Sequence, residues 1–136
     1  MNETSTETRS IVVEREMPHP PEKVWRALTE PHLIAEWFME NDFQPIVNRR
    51  FRVSAEWGPV ECQVRIVEPN KALSYTWDTK DLRSVITWTL TATSKGTRLR
   101  MEQSGFRPDQ QPYHRGATQR WPQFLAALEQ VLARVD

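Results

Sequence analysis

With a single cysteine, Cys62, the sequence has no internal disulfide open to it. It also lacks any apolar run approaching the roughly 20 residues that a helix needs to cross a bilayer. Neither sign of charge is in excess, since 18 Lys and Arg stand against 18 Asp and Glu. A balanced chain creates no global field, so neither nucleic acid nor a membrane is expected as a partner. The one basic cluster, Arg49, Arg50 and Arg52, reads as a solvated loop. The start MNETSTETRS lacks the basic-then-apolar build of a signal peptide, and together with the lone thiol this points to a reducing cytoplasm.

Markers of catalysis are sparse as well. His19, His32 and His114 are scattered and form no pair at helical spacing, so no metal site is expected. Cys62 falls on a strand without a sequence-adjacent activator, which reads as an inert thiol. The stretch SKGTR holds one glycine and suits a hairpin turn, not a phosphate cradle, so no cofactor is expected.

What is present is a strong alternation of periods. Residues 1–9, rich in Thr, Glu and Ser, have nothing to bury and are expected to form a disordered tail; residues 10–136 read as one domain. SIVVEREM alternates as a strand with Ile11, Val13 and Met17 on one face, which also puts Arg15 on that apolar face. PHPPEKVWRALTEPHLIAEWF then reads as two short helices, with Pro20 and Pro21 at the first start and Pro31 as the break between them. From Phe43 the period returns to two for about sixty residues. Phe51 to Trp57, Val60 to Ile66, Leu73 to Trp77, Ser84 to Leu90 and Leu99 to Gln103 each place alternate residues inward. Beyond GFRPDQQP, Ala117, Trp121, Phe124, Leu125, Leu128, Leu132 and Val135 recur at helical spacing, and a helix over about Tyr113 to Val135 is predicted, bent or frayed at Pro122. A sheet apolar on one face must be covered by that helix, giving a two-layer α+β fold.

PEKVWRALTEPHLIAEWF, LSYTW, VITWTL, TRLRMEQSGF and RWPQFLAALEQVL together resemble the helix-grip superfamily (SRPBCC, START-like). Within it they are similar to the branch homologous to the C-terminal domain of the heat-shock-protein-ninety ATPase activator. The resemblance implies a curved antiparallel sheet of about six to seven strands, two short helices after the first strand, and a long C-terminal helix over the concave face. Two positions depart from the family pattern. Val47, Asn48, Arg49 and Arg50 stand where a glycine pair is common, with Asn48 the residue best able to take a positive φ. Arg120 stands where a glycine usually precedes Trp121, and is expected to cover part of any nearby pocket entrance.

One helix cannot fill a strongly curled sheet along its whole length, which leaves two outcomes. Either Trp57, Trp77, Trp88 and Trp121 close the gap themselves, or they wall a cavity with Tyr75 and Leu125. In the second case the inward polar residues Arg15 and Gln103, with Cys62 and Ser84, would orient a ligand. The leading functional reading is a non-catalytic binder or carrier of an apolar or aromatic small molecule. The resemblance also implies a co-chaperone-like interaction module that binds a chaperone, and a cavity-based hydrolase or cyclase using His114 or Arg15 is a third reading. A monomer or a homodimer is expected.

Overall fold

The computed structural model describes residues 8–55 and 58–135. In chain order these form β1 (Arg9–Met17), α1 (Pro21–Thr29), α2 (Pro31–Trp37), β2 (Glu40–Asn41), β3 (Arg50–Ala55), β4 (Gly58–Glu68), β5 (Ala72–Asp78), β6 (Arg83–Thr93), β7 (Gly96–Phe106), a 3₁₀ turn (Pro108–Gln110) and α3 (Gln111–Arg134). The strands make one antiparallel sheet of order β1-β7-β6-β5-β4-β3-β2, so the meander β2 to β7 is completed by β1 pairing with the last strand. This is the α+β helix-grip architecture, an open curved sheet with the long helix on its concave side.

Local chemistry accounts for the element boundaries. Pro21 opens α1, where a missing N–H costs nothing, and Glu22 in the first turn favours the positive end of the helix. Pro31 both ends α1 and starts α2, because the residue before a proline is driven out of the helical region; Glu30 is extended, with φ −91 and ψ 121. Asn48 takes the positive φ of 72 that its turn requires. β1 begins at Arg9, one residue inside the stretch expected as tail, and residues 1–7 of that stretch lie outside the described residues.

Two expectations are corrected. Ile66 was assigned to the inner face, yet it is 42% exposed. A register shift between Val64 and Ile66 in the β4–β5 pair inserts one extra residue and turns the remainder of β4 over, so Val67 packs against the core instead. The last helix starts at Gln111 and is continuous through Pro122. Pro122 sits on its exposed side, as does Thr118, the residue whose carbonyl loses its helical partner. Below it, Leu125, Leu128 and Leu132 are wholly buried in one core with Trp88, Leu99 and Met101.

Candidate functional site

The β5–β6 hairpin settles where the two central indoles go. Trp77 pairs with Ser84 near the turn, whereas Trp88 pairs with Leu73 at the far end. Both rings are on the concave face, but they stand at opposite ends of the hairpin and meet different neighbours.

Trp88 is 0% exposed. Its indole N–H donates to the Tyr75 hydroxyl at 3.0 Å, and its ring meets Trp37 and Trp121 edge-on, each at a centroid distance of 5.7 Å. Tyr75 packs in turn against Phe43 and Phe51. Burial raises the pKa of its hydroxyl well above the ordinary value, so it is a neutral donor and acceptor. The free space beside Tyr75 amounts to about 10 Å³, no more than a single water would occupy. Trp88, Tyr75 and Leu125 therefore belong to closed core and contact no cavity large enough for a ligand.

The Trp77 end is different. A cavity of about 400 Å³ opens there between the sheet, the β5–β6 turn and the first half of α3. That volume falls within the range of about 300–1,000 Å³ common for small-molecule sites. The helix contributes positions 112, 113, 116, 117, 120, 121 and 124, a single face at i, i+3 and i+4 spacing. The sheet contributes Trp77, Gln103 and Phe106, and the chain after α2 contributes Phe38 and Met39. Phe38 ties the walls together, its ring lying 5.3 Å from Trp77, 5.6 Å from Trp121 and 4.7 Å from Phe124.

A short polar relay fixes the two indole walls. The Ser84 hydroxyl donates to the Trp77 carbonyl at 2.7 Å and accepts from the Gln103 amide nitrogen at 3.1 Å. The Gln103 amide oxygen accepts the Trp121 indole N–H at 2.8 Å. Each partner sets the orientation of the next, and the buried polar side chains among the described residues are all satisfied.

Two glycines bear on the cavity for opposite reasons. Gly105, just before the wall residue Phe106, has φ +115, and a Cβ there would collide with the Arg83 carbonyl oxygen; the close strand approach demands glycine. Gly116 lies within α3, and a Cβ built on it meets nothing within 4 Å. No packing demands glycine at position 116, and its missing side chain leaves the wall bare.

At the mouth, the β5–β6 turn is tied to the start of α3. The Asp81 carbonyl accepts from the Gln110 amide, and its carboxylate accepts the Tyr113 hydroxyl at 3.1 Å, which raises the pKa of that hydroxyl. The Arg83 guanidinium donates to the Thr79 carbonyl at 2.8 Å. Lys80 and Arg120 also line the mouth.

Of the residues assigned to ligand binding from the sequence, Trp77, Gln103 and Trp121 line this cavity. Arg15 does not: on the edge strand β1 it faces α3 and pairs with Glu129 at 3.1 Å, with both side chains 38% exposed. Cys62 is buried away from the cavity, and burial pushes its thiol far up, which makes it a poor nucleophile. Trp57 lies outside the described residues. His114 bonds the Ser10 carbonyl at 3.3 Å and stacks edge-on to Phe106, outside the lining. Among the described residues no histidine or cysteine lines the cavity, and no group of His, Cys, Asp and Glu could hold a metal ion. Among them also, no helix is long and apolar enough to cross a membrane. Sequence reasoning placed Ala117 and Phe124 on the apolar helix face without linking them to a cavity. It gave no signal for Leu82 or Asp81, which enter through the fold of a turn.

The family model for activator of Hsp90 ATPase homolog 1-like proteins matches residues 18–133. The chain belongs to this family. Among solved structures, this homolog 1-like chain is similar to protein MLL2253 from Mesorhizobium loti, with 60% identity, 94% of this chain and 99% of that chain covered, and a TM-score of 0.91. It is also similar to protein BH1534 from Bacillus halodurans, at 30% identity over 91% of this chain and 96% of that one, with a TM-score of 0.83. CalU16 from Micromonospora echinospora shares the fold alone, at 23% identity over 94% of this chain and 78% of that one, with a TM-score of 0.79. Nothing among curated proteins matches the chain.

Proposed function

We propose that this protein binds or carries an apolar or aromatic small molecule in the cavity between Trp77 and α3. The observation that carries the reading is the roughly 400 Å³ space walled by Trp77, Phe106, Trp121 and Phe124, beside a core otherwise closed around Trp88. Aromatic walls favour a flat apolar guest, and Gln103 supplies a fixed amide within them. A cytoplasmic location agrees with the single buried thiol.

N-Phenyl-1-naphthylamine, a neutral aromatic dye, tests this reading. Saturable binding with a dissociation constant in the micromolar range, about 8 kcal/mol, is expected. The melting temperature should rise with dye concentration, because the guest binds the folded state alone. Trp77→Ala should weaken binding. Absence of saturation, or binding seen only after Trp88→Ala has hollowed the core, would overturn the reading.

Family membership supports a second reading, a co-chaperone-like module that contacts a chaperone. A pull-down with the cell's Hsp90 homologue and an ATPase assay test it: neither capture nor stimulation removes it. A hydrolase or cyclase acting through His114 or Arg15 gains no support from the site, since both lie outside the cavity lining.

A further inference from the structure

The polar groups around the cavity divide by whether they are already engaged. Within the walls, Gln103 receives the Trp121 N–H and donates to Ser84, which leaves one amide hydrogen uncommitted. At the mouth, the Thr79 hydroxyl accepts the Leu82 N–H and the Thr79 carbonyl accepts from Arg83. Asp81 is engaged twice, through its carbonyl by Gln110 and through its carboxylate by Tyr113. Among the described residues, Lys80 and Arg120 take part in no ion pair, although Arg15, Arg52, Arg98, Arg100, Arg107 and Arg134 each do. The mouth therefore presents two uncommitted cations against one carboxylate that already serves as an acceptor.

We infer that the natural ligand carries one anionic group, a carboxylate or similar acid, held at the mouth by Arg120 and Lys80 while its aromatic body lies inside. This inference rests on the small-ligand reading above and adds the charge of the ligand to it. The physical case is one of desolvation. A charged group carried to the aromatic walls would lose its water and find at most one spare amide hydrogen, which is expensive. The same group left at the mouth keeps part of its hydration and meets a guanidinium, whose planar fork suits a two-oxygen acid. Arg120 is one helical turn from Gly116 on the same face of α3, so its side chain rises beside the stretch of wall that glycine leaves open. Lys80 lines the same cavity from the β5–β6 turn. A cationic guest would meet repulsion at both positions.

Two dyes of nearly the same aromatic body separate the claims: neutral N-phenyl-1-naphthylamine and its sulfonated relative, 1-anilinonaphthalene-8-sulfonate. Each is titrated into the full chain and into the double variant Lys80→Gln, Arg120→Gln, whose changes lie at the mouth and whose folding is checked by circular dichroism. The sulfonate should lose about tenfold in affinity in the variant, the size expected for two charge-assisted contacts at a half-open mouth. The neutral dye should lose much less, about twofold, since Gln at these two lining positions removes the charge and leaves the aromatic walls in place. Raising salt should weaken the sulfonate alone. If both dyes weaken equally, if neither changes, or if the sulfonate fails to bind the wild type while the neutral dye binds, the anion inference is overturned and the cavity reading stands. If neither dye binds the wild type, both fall together. If the sulfonate alone binds the wild type, exposed charge holds it without the cavity, and both readings are overturned.

Discussion

Trp88 and Trp77 look alike in the sequence, each alternating with apolar neighbours on a strand, yet their surroundings give them different work. Trp88 fills the middle of the molecule, bonded to Tyr75 and wedged between Trp37 and Trp121. Trp88→Ala should cost about 3–5 kcal/mol in chemical denaturation, and a loss under about 1 kcal/mol would contradict that placement. Cys62 offers a test by pH. Burial, with help from Asp78, raises its pKa above the ordinary 9.0, so the folded chain keeps the proton that the unfolded chain gives up. The stability tied to that proton is complete below the unfolded value and is lost as pH climbs past it. Between about pH 8 and 10 the wild type should lose more stability than Cys62→Ala does, and equal losses would count against the buried neutral thiol. Strand parity made the inward position of Trp77 and Gln103 legible from the sequence, and helical spacing that of Trp121. Parity could not separate Arg15, which has the same parity but reaches Glu129 at the sheet edge.

Elements were read from periods, and periods report local chemistry. The proline punctuation of α1 and α2 and the apolar spacing of α3 were visible because one helix turn decides them. The shift in β4 at Ile66 was not, because the pairing with β5 creates it and the sequence of β4 continues its alternation. Likewise a frayed first turn before Pro122 was one of the two expectations there, whereas α3 is helical from Gln111 onward with Pro122 at an exposed position. The two glycines make an element-scale prediction of opposite sign. Gly116→Ala should stabilise by about 0.5–1 kcal/mol, since a helix gains from a Cβ that meets nothing. Gly105→Ala should destabilise by more than about 1 kcal/mol, from its positive φ and the clash with Arg83. Urea denaturation of both variants checks the pair, and a destabilised Gly116→Ala would mean that packing does reach that wall.

At the scale of the whole molecule, the sequence supports a sheet gripped by a helix but leaves open which end of the sheet is filled. That depends on where α2 and α3 cross the curved strands, a tertiary outcome that no window of residues contains. Trp37 and Trp121 close over Trp88, and the chain beyond, from Phe38 to the β5–β6 turn, leaves the Trp77 end open. The central claim is that this opening is a ligand site. Gly116 provides the most direct test, because its wall position is bare and its replacement adds volume without removing any contact. Titration of N-phenyl-1-naphthylamine into the series Gly116, Ala, Leu and Phe should show affinity falling step by step, by at least about tenfold at Phe, with circular dichroism unchanged. Affinity that stays constant along the series would place the dye elsewhere and contradict the cavity as the site.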